Sequence, residues 1–419
     1  MHKDLRDYLK KYSIYDDDYY DYQPRLIDEV VDGSYQKTDF GKIFVAKKEY
    51  LPGYYHGEIP LESFLNQSPK TLALISKNDE IKNLNLKKAV FIDTETTGLS
   101  GGTGTAVFLV GILFFENNEF RIRQYLMQDF NEELAMLSAL KQIFKNFEFI
   151  ISYNGKAFDI PLLSTRYLIN KMSDKHLNLP HIDLLFPSRF LYRKDLPNCR
   201  LKTIENKVLG IWEDRIGDID SSLIPYIYFD FLNTKDARIL KSVFKHNIID
   251  LISLVTLTAK LASYIENYNE INLSYNQIRS LTKIFFLKKN FNDAEKLILR
   301  AIQNADNKED LGECKMWYGF ILKKMRKFDD SSKIFEELVL DDTKEIEIYR
   351  QVAIYQEHQN KNYQKAINFC NKALKIMKYE YNIRRRDYYI NDINYRLARL
   401  YRKIAKINIK IKEKRSYYE

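Results

Sequence analysis

Short apolar runs that suit buried strands mark the middle of the chain. Residues 89–95, AVFIDTE, and 147–154, FEFIISYN, are rich in β-branched and aromatic side chains. Between them, AVFLVGILFFENNEFRIRQYLM (106–127) contains Asn117-Asn118, a pair that favours a tight turn. The sequence therefore predicts a β-hairpin with one buried strand before it and another after it.

Helical periodicity separates and follows these strands. Apolar positions recur every three or four residues in 132–146 and in 158–172, and HIDLL (181–185) is a further short strand before several helices. The predicted order is three strands, a helix, a strand, a helix, a strand and then helices. This order is typical of a mixed sheet flanked by helices. We assign this α/β layer fold to residues 88–265.

The N-terminal part lacks this regularity. Residues 1–39 are polar and include the acidic-aromatic run YDDDYYDY (15–22), which predicts a poorly ordered or loosely docked segment. Residues 40–87 form an N-terminal extension, in which GKIFVAKKEYLPGYYHGEIP suits a β-hairpin or paired extended segments around Pro52-Gly53.

A repeat replaces the strands beyond residue 265. Three segments align, each with an aromatic residue ahead of an F/Y-x-x-A/S helix, at offsets of 37 and 35 residues. These offsets lie near the tetratricopeptide period of about 34 residues. The segments are 288–302, 325–339 and 360–374, with the aromatics at 291, 328 and 363. Residues 266–419 are predicted to form an all-α tetratricopeptide-like solenoid, with a generic helical bundle as the alternative.

Composition favours a cytoplasmic protein without a membrane segment. The N-terminus lacks the apolar core of a signal peptide, and the longest uncharged apolar run, 106–115, has ten residues. Three scattered cysteines, Cys199, Cys314 and Cys370, fit a reducing compartment and form no zinc motif.

Positive charge is concentrated towards the C-terminal end. The chain carries +9 overall, whereas residues 271–419 hold 32 basic and 20 acidic residues, and 371–419 hold 15 and 5. Basic helices of this kind bind polyanions, because neutralised phosphates release their counterions. The alternative to polyanion binding is that these helices simply expose a lysine-rich face to solvent, and the sequence favours neither.

Four acidic residues are candidate metal ligands. Asp93 and Glu95 are two apart on a predicted strand, so their carboxylates point the same way. Asp159 opens a helix directly after a strand, and Asp250 lies in the apolar helix FKHNIIDLISL, where a lone acid is costly unless paired or metal-bound. Such oxygen ligands predict two divalent cations, Mg²⁺ or Mn²⁺, as used in displacement at phosphorus.

In this order and spacing the acids resemble those of the DEDD exonucleases, which have a ribonuclease H-like fold. DTETTG is the form found in many DnaQ-type proofreading exonucleases. Over residues 40–265 the chain is more similar to bacterial YprB-type proteins, which join a ribonuclease H-like domain to tetratricopeptide-like repeats. The segments that carry the resemblance are DTETTGLSGGTGT, YNGKAFDIPLL, HIDLLFPSR, LPNCRLKTIE and HNIIDLISL.

One catalytic position departs from the DEDD pattern. Those enzymes carry His five residues ahead of the last acid or Tyr four ahead, whereas this chain has His246 four ahead of Asp250. On a helix the two side chains share one face. A neutral imidazole near a metal-bound water is a good general base at neutral pH, so His246 is a catalytic candidate. Orienting the water or stacking on a nucleotide are the alternatives.

Other residues are candidates for substrate contact. They are Thr96, Thr97, Gly98, Leu99, Asn154, Arg189 and Arg200. By resemblance, the first four approach the terminal nucleotide, with a tight strand connection as the alternative. The two arginines suit contact with the substrate backbone or simple solvation. Asn154 suits bracing of the site through hydrogen bonds or a purely structural role. His181 and Asp183 are not assigned as ligands, because related nucleases carry a similar strand acid outside the metal shell.

The sequence thus predicts a two-metal-ion-dependent 3′–5′ exonuclease, with the polarity implied by the resemblance. Its substrate is DNA or RNA with a single-stranded 3′ end, and its repeats offer a surface for a protein partner or nucleic acid. The alternative is a catalytically weak or inactive nucleic-acid-binding or scaffold protein that acts through its repeats. The presence of all four acids favours the enzyme.

Overall fold

A computed structural model describes most of the chain, which divides into two compact units. The described residues are 23–98, 102–211, 215, 217–305, 307–379 and 385–415. The first unit ends at Asn272 and the second begins at Leu273. The predicted boundary after residue 265 falls at the end of a helix that closes at Glu266.

The first unit is built on a mixed seven-stranded sheet. Its strands are β1 (Gly33–Thr38), β2 (Gly41–Tyr50), β3 (Tyr55–His56), β4 (Ile59–Pro60), β5 (Ala89–Thr96), β6 (Val107–Glu116), β7 (Glu119–Leu126), β8 (Phe149–Ser152) and β9 (His181–Asp183). β3 pairs with β4, and the others form one sheet in the order β1-β2-β7-β6-β5-β8-β9. β5, β6 and β7 are antiparallel, while β8 and β9 continue the sheet in parallel.

Helices cover both faces of this sheet. They are α1 (Ile27–Val30), α2 (Pro69–Ser76), α3 (Glu133–Phe144), α4 (Asp159–Ile169), α5 (Leu185–Tyr192), α6 (Leu201–Ile204), α7 (Ile224–Thr234) and α8 (Leu240–Glu266). Val90 and Ile92 of β5 pack in one core cluster with residues of α3 and α4. The alternate residues Phe91, Asp93 and Glu95 therefore face the other side, where α8 lies.

The central elements agree with the sequence prediction. The β6–β7 hairpin turns at Asn117 and Asn118, whose φ angles of 51° and 63° are left-handed, as a tight hairpin turn requires. The segment Ala237–Glu266 is apolar and long enough to cross a membrane by length and composition. Of its most apolar stretch, 78% is buried inside the protein, as in the core helix of an α/β domain.

The N-terminal segment differs from its prediction. Residues 33–38 pair along their whole length with β2, and Ile27 is only 1% exposed, so residues 23–38 are part of the fold rather than loosely docked. The predicted pairing across Pro52-Gly53 does not form, because β2 pairs with β1 and β7. Within the same segment, the short strands β3 and β4 pair with each other instead. The run 15–22 lies outside the described residues.

The second unit is helical. Its helices are α9 (Tyr275–Leu287), α10 (Phe291–Gln303), α11 (Lys308–Lys324), α12 (Phe328–Leu340), α13 (Ile346–His358), α14 (Tyr363–Tyr379) and α15 (Arg386–Arg415). They pack in the pairs α9–α10, α11–α12 and α13–α14, and α15 packs on α14. Phe291, Phe328 and Tyr363 are the first residues of their helices, which is where the sequence repeat places its aromatic positions.

Part of the basic charge of α15 is neutralised inside this unit. Glu357 of α13 is 1% exposed and accepts hydrogen bonds from Arg396 (2.7 Å), Arg399 (2.6 and 2.8 Å) and Lys403 (2.9 Å). Arg350 pairs with Asp392 in the same region. The net charge of the C-terminal segment therefore overstates the charge available to a polyanion.

We expect Glu357 to make the second unit sensitive to acid. Burial raises the pKa of Glu357, but hydrogen bonds from Arg399 and Lys403 outweigh it and lower the pKa from 4.5 to about 2. The ionised form is thus favoured in the folded state. Its contribution, about 3 kcal/mol at most, is present above pH 4.5 and lost as the pH falls towards 2.

Calorimetry of Glu357→Gln tests this expectation. The variant should melt at a lower temperature than wild type at pH 7, and the difference should shrink as the pH falls from about 4.5 towards 2. The control is Glu336→Gln, because Glu336 pairs with Lys365 nearer the surface and should contribute less than about 1 kcal/mol. A difference that does not change with pH would contradict the role given to the Glu357 charge.

Candidate active site

The structure brings the four predicted acids to one place. Asp93 and Glu95 lie on β5, Asp159 is the first residue of α4, and Asp250 lies on α8. Burial raises the pKa of Asp93 well above its usual value, and the charges of Asp250 and Asp159 raise it further. Burial likewise raises the pKa of Glu95, followed by the charges of Asp93, Asp250 and Asp159. The four carboxylates are therefore within electrostatic reach of one another.

Asp93 is oriented by an amide on the facing helix. Asn247 of α8 donates from Nδ2 to the Asp93 carboxylate (2.7 Å), and its Oδ1 accepts from Gln124 Nε2 (2.8 Å). Gly111 lies opposite Asp93 in β6, and its lack of a side chain makes space for the Asn247 amide. A Cβ at this position would lie 2.0 Å from Asn247 Oδ1. The glycine inside this strand thus marks the place where another side chain approaches the backbone.

Replacing Gly111 by alanine should disturb the site through Asn247. The added methyl group must displace the Asn247 amide, so we expect a loss of about 1–3 kcal/mol in the free energy of unfolding. Chemical denaturation measures this effect. The control is Gly104→Ala, because no atom lies within 4 Å of a Cβ at Gly104. Unchanged stability of Gly111→Ala would show that Asn247 has another equally good position.

Asp159 is held from the opposite face of β5. Thr94 Oγ1 donates to Asp159 Oδ1 at 2.5 Å. Burial raises the pKa of Asp159 to about 6, although the Thr94 hydrogen bond opposes the shift. Thr94 therefore orients the Asp159 carboxylate through this hydrogen bond.

Arg215 provides a cation inside the site. Its guanidinium pairs with Glu205 (2.6 and 2.9 Å), with Asp218 (2.7 Å) and with Asp250. Glu205 is completely buried and begins a π-helical turn, Glu205–Leu209. It also accepts from Ser253 Oγ (2.6 Å) on α8. Asp250 is thus compensated by a side chain that the sequence analysis did not identify.

His246 is paired with a second unpredicted residue, Asp218. The Asp218 carboxylate lies 2.9 Å from His246 Nδ1. Burial lowers the pKa of His246, but the charge of Asp250 and the hydrogen bond to Asp218 outweigh it and raise the pKa above its usual value. The ionised Asp218 can only accept, so Nδ1 carries the proton. Nε2 then faces Asp250, 3.8 Å away, and Ser221, 3.3 Å away.

The donor set fits a hard divalent cation by its chemistry. Four carboxylates supply the oxygen ligands that Mg²⁺ or Mn²⁺ prefer, and no hydrogen-bond donor of the described chain reaches the Glu95 carboxylate. In the arrangement observed, no three acidic, His or Cys side chains of the described residues surround one point as ligands would. Arg215 accounts for this in part, because it binds Asp250.

Several predicted substrate contacts serve local structure. Thr96 Oγ1 donates to the Gly98 carbonyl (2.7 Å), and Thr97 Oγ1 accepts from the Ala106 amide (2.9 Å), so both threonines hold the loop after β5. This supports the tight-connection alternative for them. Leu99 lies outside the described residues. Beyond the loop, Arg166 of α4 pairs with Glu133 and donates to the Thr103 carbonyl (3.0 Å).

The loop before α4 is built around Asp183. Its carboxylate accepts from the backbone amides of Asn154 (2.8 Å), Lys156 (3.1 Å) and Leu185 (3.1 Å), and Asn154 has a left-handed φ of 67°. His181 bonds to Ser152 Oγ (2.8 Å). His181 and Asp183 are thus engaged in structural contacts, and Asn154 contributes its backbone.

Arg189 and Arg200 are not part of the acidic cluster. Both are exposed, and Arg189 lies near Tyr153 and Cys199, whose carbonyl accepts from the Tyr153 hydroxyl (2.6 Å). Their role in substrate binding stays a prediction.

Comparison with known proteins shows that the first unit has a ribonuclease H-like fold. Residues 90–262 match the family model RNase_H_2, described as RNase_H superfamily. That superfamily consists generally of enzymes that hydrolyse nucleic acids, and the matched range includes Asp93, Glu95, Asp159 and Asp250. The chain is also 29% identical over 297 residues, 70% of each protein, to the "Uncharacterized protein YprB" of Bacillus subtilis (strain 168).

Proposed function

We propose that the protein is a divalent-metal-dependent 3′–5′ exonuclease of the DEDD type. The convergence of four carboxylates from β5, α4 and α8 carries this proposal, because a purely structural role does not require four acids whose charges oppose one another. The exonuclease polarity follows the resemblance in DTETTG and the other motifs. A scaffold without activity remains the competing function.

Each residue of the site has a distinct task in this proposal. Asp93, Glu95, Asp159 and Asp250 would hold the cations, which supply an activated water and charge neutralisation at phosphorus. Asn247 and Thr94 fix the orientation of Asp93 and Asp159.

His246 is the proposed proton acceptor. Asp218 holds the imidazole by Nδ1 and leaves Nε2 towards the acidic cluster, in the relation of base and orienting carboxylate found in other hydrolases. Ser221 limits the rotation of the ring from the other side. A proton taken from water at Nε2 would leave a positive imidazolium next to Asp218 and Asp250, which stabilise it.

End-labelled strands test the activity. Purified protein is incubated with single-stranded DNA and RNA, labelled at the 5′ end and either free or blocked at the 3′ end, in Mg²⁺, Mn²⁺ or EDTA. We expect stepwise shortening that needs metal and a free 3′ end, and that Asp93→Asn does not show. If no strand of either kind is shortened while binding persists, the scaffold function is correct.

A further inference from the structure

The sheet extends past the ribonuclease H-like core and leaves a groove beside α8. β2 adds to β7 with Ala46 opposite Gln124, whose side chain is bound to Asn247 of α8. Ala46, Lys48 and Tyr50 alternate along β2 and therefore share the face on which α8 lies. Between β2 and α8 runs a groove of about 850 Å³, called here the β2–α8 groove.

Lysines line this groove on two sides. Lys47 and Lys48 come from β2, and Lys241 and Lys245 lie one turn apart on α8; all four are exposed. Arg238 also borders the groove but pairs with Asp236, and among the described residues of the lining Asp32 is the single acid. The described lining therefore carries a net positive charge, in contrast to the acidic cluster nearby, and suits a polyanion.

Aromatic rings lie at the β2 side of the groove. The rings of Tyr50 and Tyr54 are 4.5 Å apart between centroids, and Tyr54 is 37% exposed. The Lys48 ammonium group is 5.8 Å from the Tyr50 centroid. Aromatic rings next to lysines form the platforms on which single-stranded bases stack, independently of sequence. A purely electrostatic site for a small anion would not need them.

One end of the groove adjoins the active site. Gly217 lines the groove and precedes Asp218, which binds His246. Gln124 lines it too and connects through Asn247 to Asp93. A strand whose end lies at the carboxylates can therefore continue along α8.

We propose that the β2–α8 groove binds the part of a single-stranded nucleic acid that precedes its terminal nucleotide. Lys48, Lys241 and Lys245 contact phosphates, and bases stack on Tyr50 and Tyr54. The direction of the strand rests on the proposed function, whereas binding itself does not. Since these contacts reach no base edge, the groove accepts any sequence and makes affinity depend on strand length.

Binding in EDTA tests the groove without hydrolysis. Fluorescence anisotropy with labelled DNA and RNA strands of about 4 and about 16 nucleotides compares wild type with Lys241→Glu/Lys245→Glu. The matched control, Lys141→Glu/Lys145→Glu, changes the same charge at the same spacing at the end of α3, on the opposite face of the sheet. Circular dichroism checks that each variant is folded.

The expected result is specific to the groove variant. The long strand should bind at least about tenfold more weakly, and the slope of log affinity against log salt should fall by about 1.4, that is about 0.7 for each phosphate that the variant no longer neutralises. The short strand and the control variant should change little. Tyr54→Ala should weaken the long strand about fivefold or more while leaving the salt slope unchanged.

The other outcomes separate the two proposals. The groove proposal is overturned if the groove and control variants lose affinity for the long strand equally, or if neither loses any. Equally tight, groove-dependent binding of a labelled polyglutamate peptide overturns it too, since the site would then serve an acidic protein. Groove-dependent binding by a protein that shortens no strand overturns the proposed exonuclease and leaves the groove standing. If the groove variant shortens strands normally and binds them with unchanged affinity, the groove proposal is overturned and the proposed exonuclease stands.

Discussion

Asp93→Asn is expected to abolish hydrolysis and to stabilise the metal-free protein at the same time. The substitution keeps the shape of the side chain and the hydrogen bond from Asn247, and removes one negative charge from the cluster. If the protein is the proposed metal-dependent exonuclease, loss of this charge should reduce the single-turnover rate by at least about 1,000-fold. Because burial and the charges of Asp250 and Asp159 disfavour the Asp93 carboxylate, its removal should add about 1–3 kcal/mol to the free energy of unfolding in EDTA.

Asp183→Asn is the matched control for this double effect. Asp183 lies on the same sheet, but its carboxylate accepts three backbone hydrogen bonds. Its replacement should lower the melting temperature, so the two variants should move in opposite directions. Rate is measured with end-labelled strands in Mn²⁺, and stability by calorimetry in EDTA. A destabilised Asp93→Asn would mean that Asp93 has a structural role.

Arg215→Met should destabilise the protein and make it depend on divalent cations. Removing the guanidinium leaves Glu205, Asp218 and Asp250 without their internal cation, and breaking a buried ion pair in this way costs about 3–5 kcal/mol. A divalent ion can replace part of the missing charge. The melting temperature of the variant should therefore rise with Mg²⁺ by more than that of wild type.

The comparison with Arg123→Met isolates the effect of burial. Arg123 pairs with Glu49 at 2.9 Å near the surface, and its loss should cost less than about 1 kcal/mol without any added response to Mg²⁺. Calorimetry of wild type and both variants over a Mg²⁺ series gives the required shifts. Equal Mg²⁺ shifts for wild type and Arg215→Met would show that the arginine and the cation do not share a site.

The sequence was sufficient for the centre of the fold because periodicity and turn chemistry agree there. β5 to β9 alternate or run as buried strands, so spacing predicts the direction of Asp93 and Glu95 on β5. Asp159 opens α4 directly after a strand, and Asp250 stands out as an acid inside the apolar helix α8. Asp93, Glu95, Asp159 and Asp250 could therefore be placed together without coordinates.

The partners of these acids could not be found in that way. Arg215 and Asp218 lie in an irregular segment, where spacing says nothing about direction, and Glu205 resembles any helix-borne acid. Asn247 had one indirect signal, the glycine at position 111 inside an otherwise bulky apolar strand. Near the N-terminus, β1 was not predicted because its sequence is largely polar. An edge strand of this kind needs only one apolar side.

The order of strands in the sheet also affects how the chain is made. β2 is synthesised early but pairs with β7, Tyr50 with Phe120 and Phe44 with Leu126, so it waits for about 76 residues to follow. At about 5–20 residues per second this delay is about 4–15 s, during which the apolar residues 43–46 are paired on one side only, with β1, and their other edge is open. Lys42, Lys47 and Lys48 border that run and oppose its association with other nascent chains, a protective task separate from any in the finished protein.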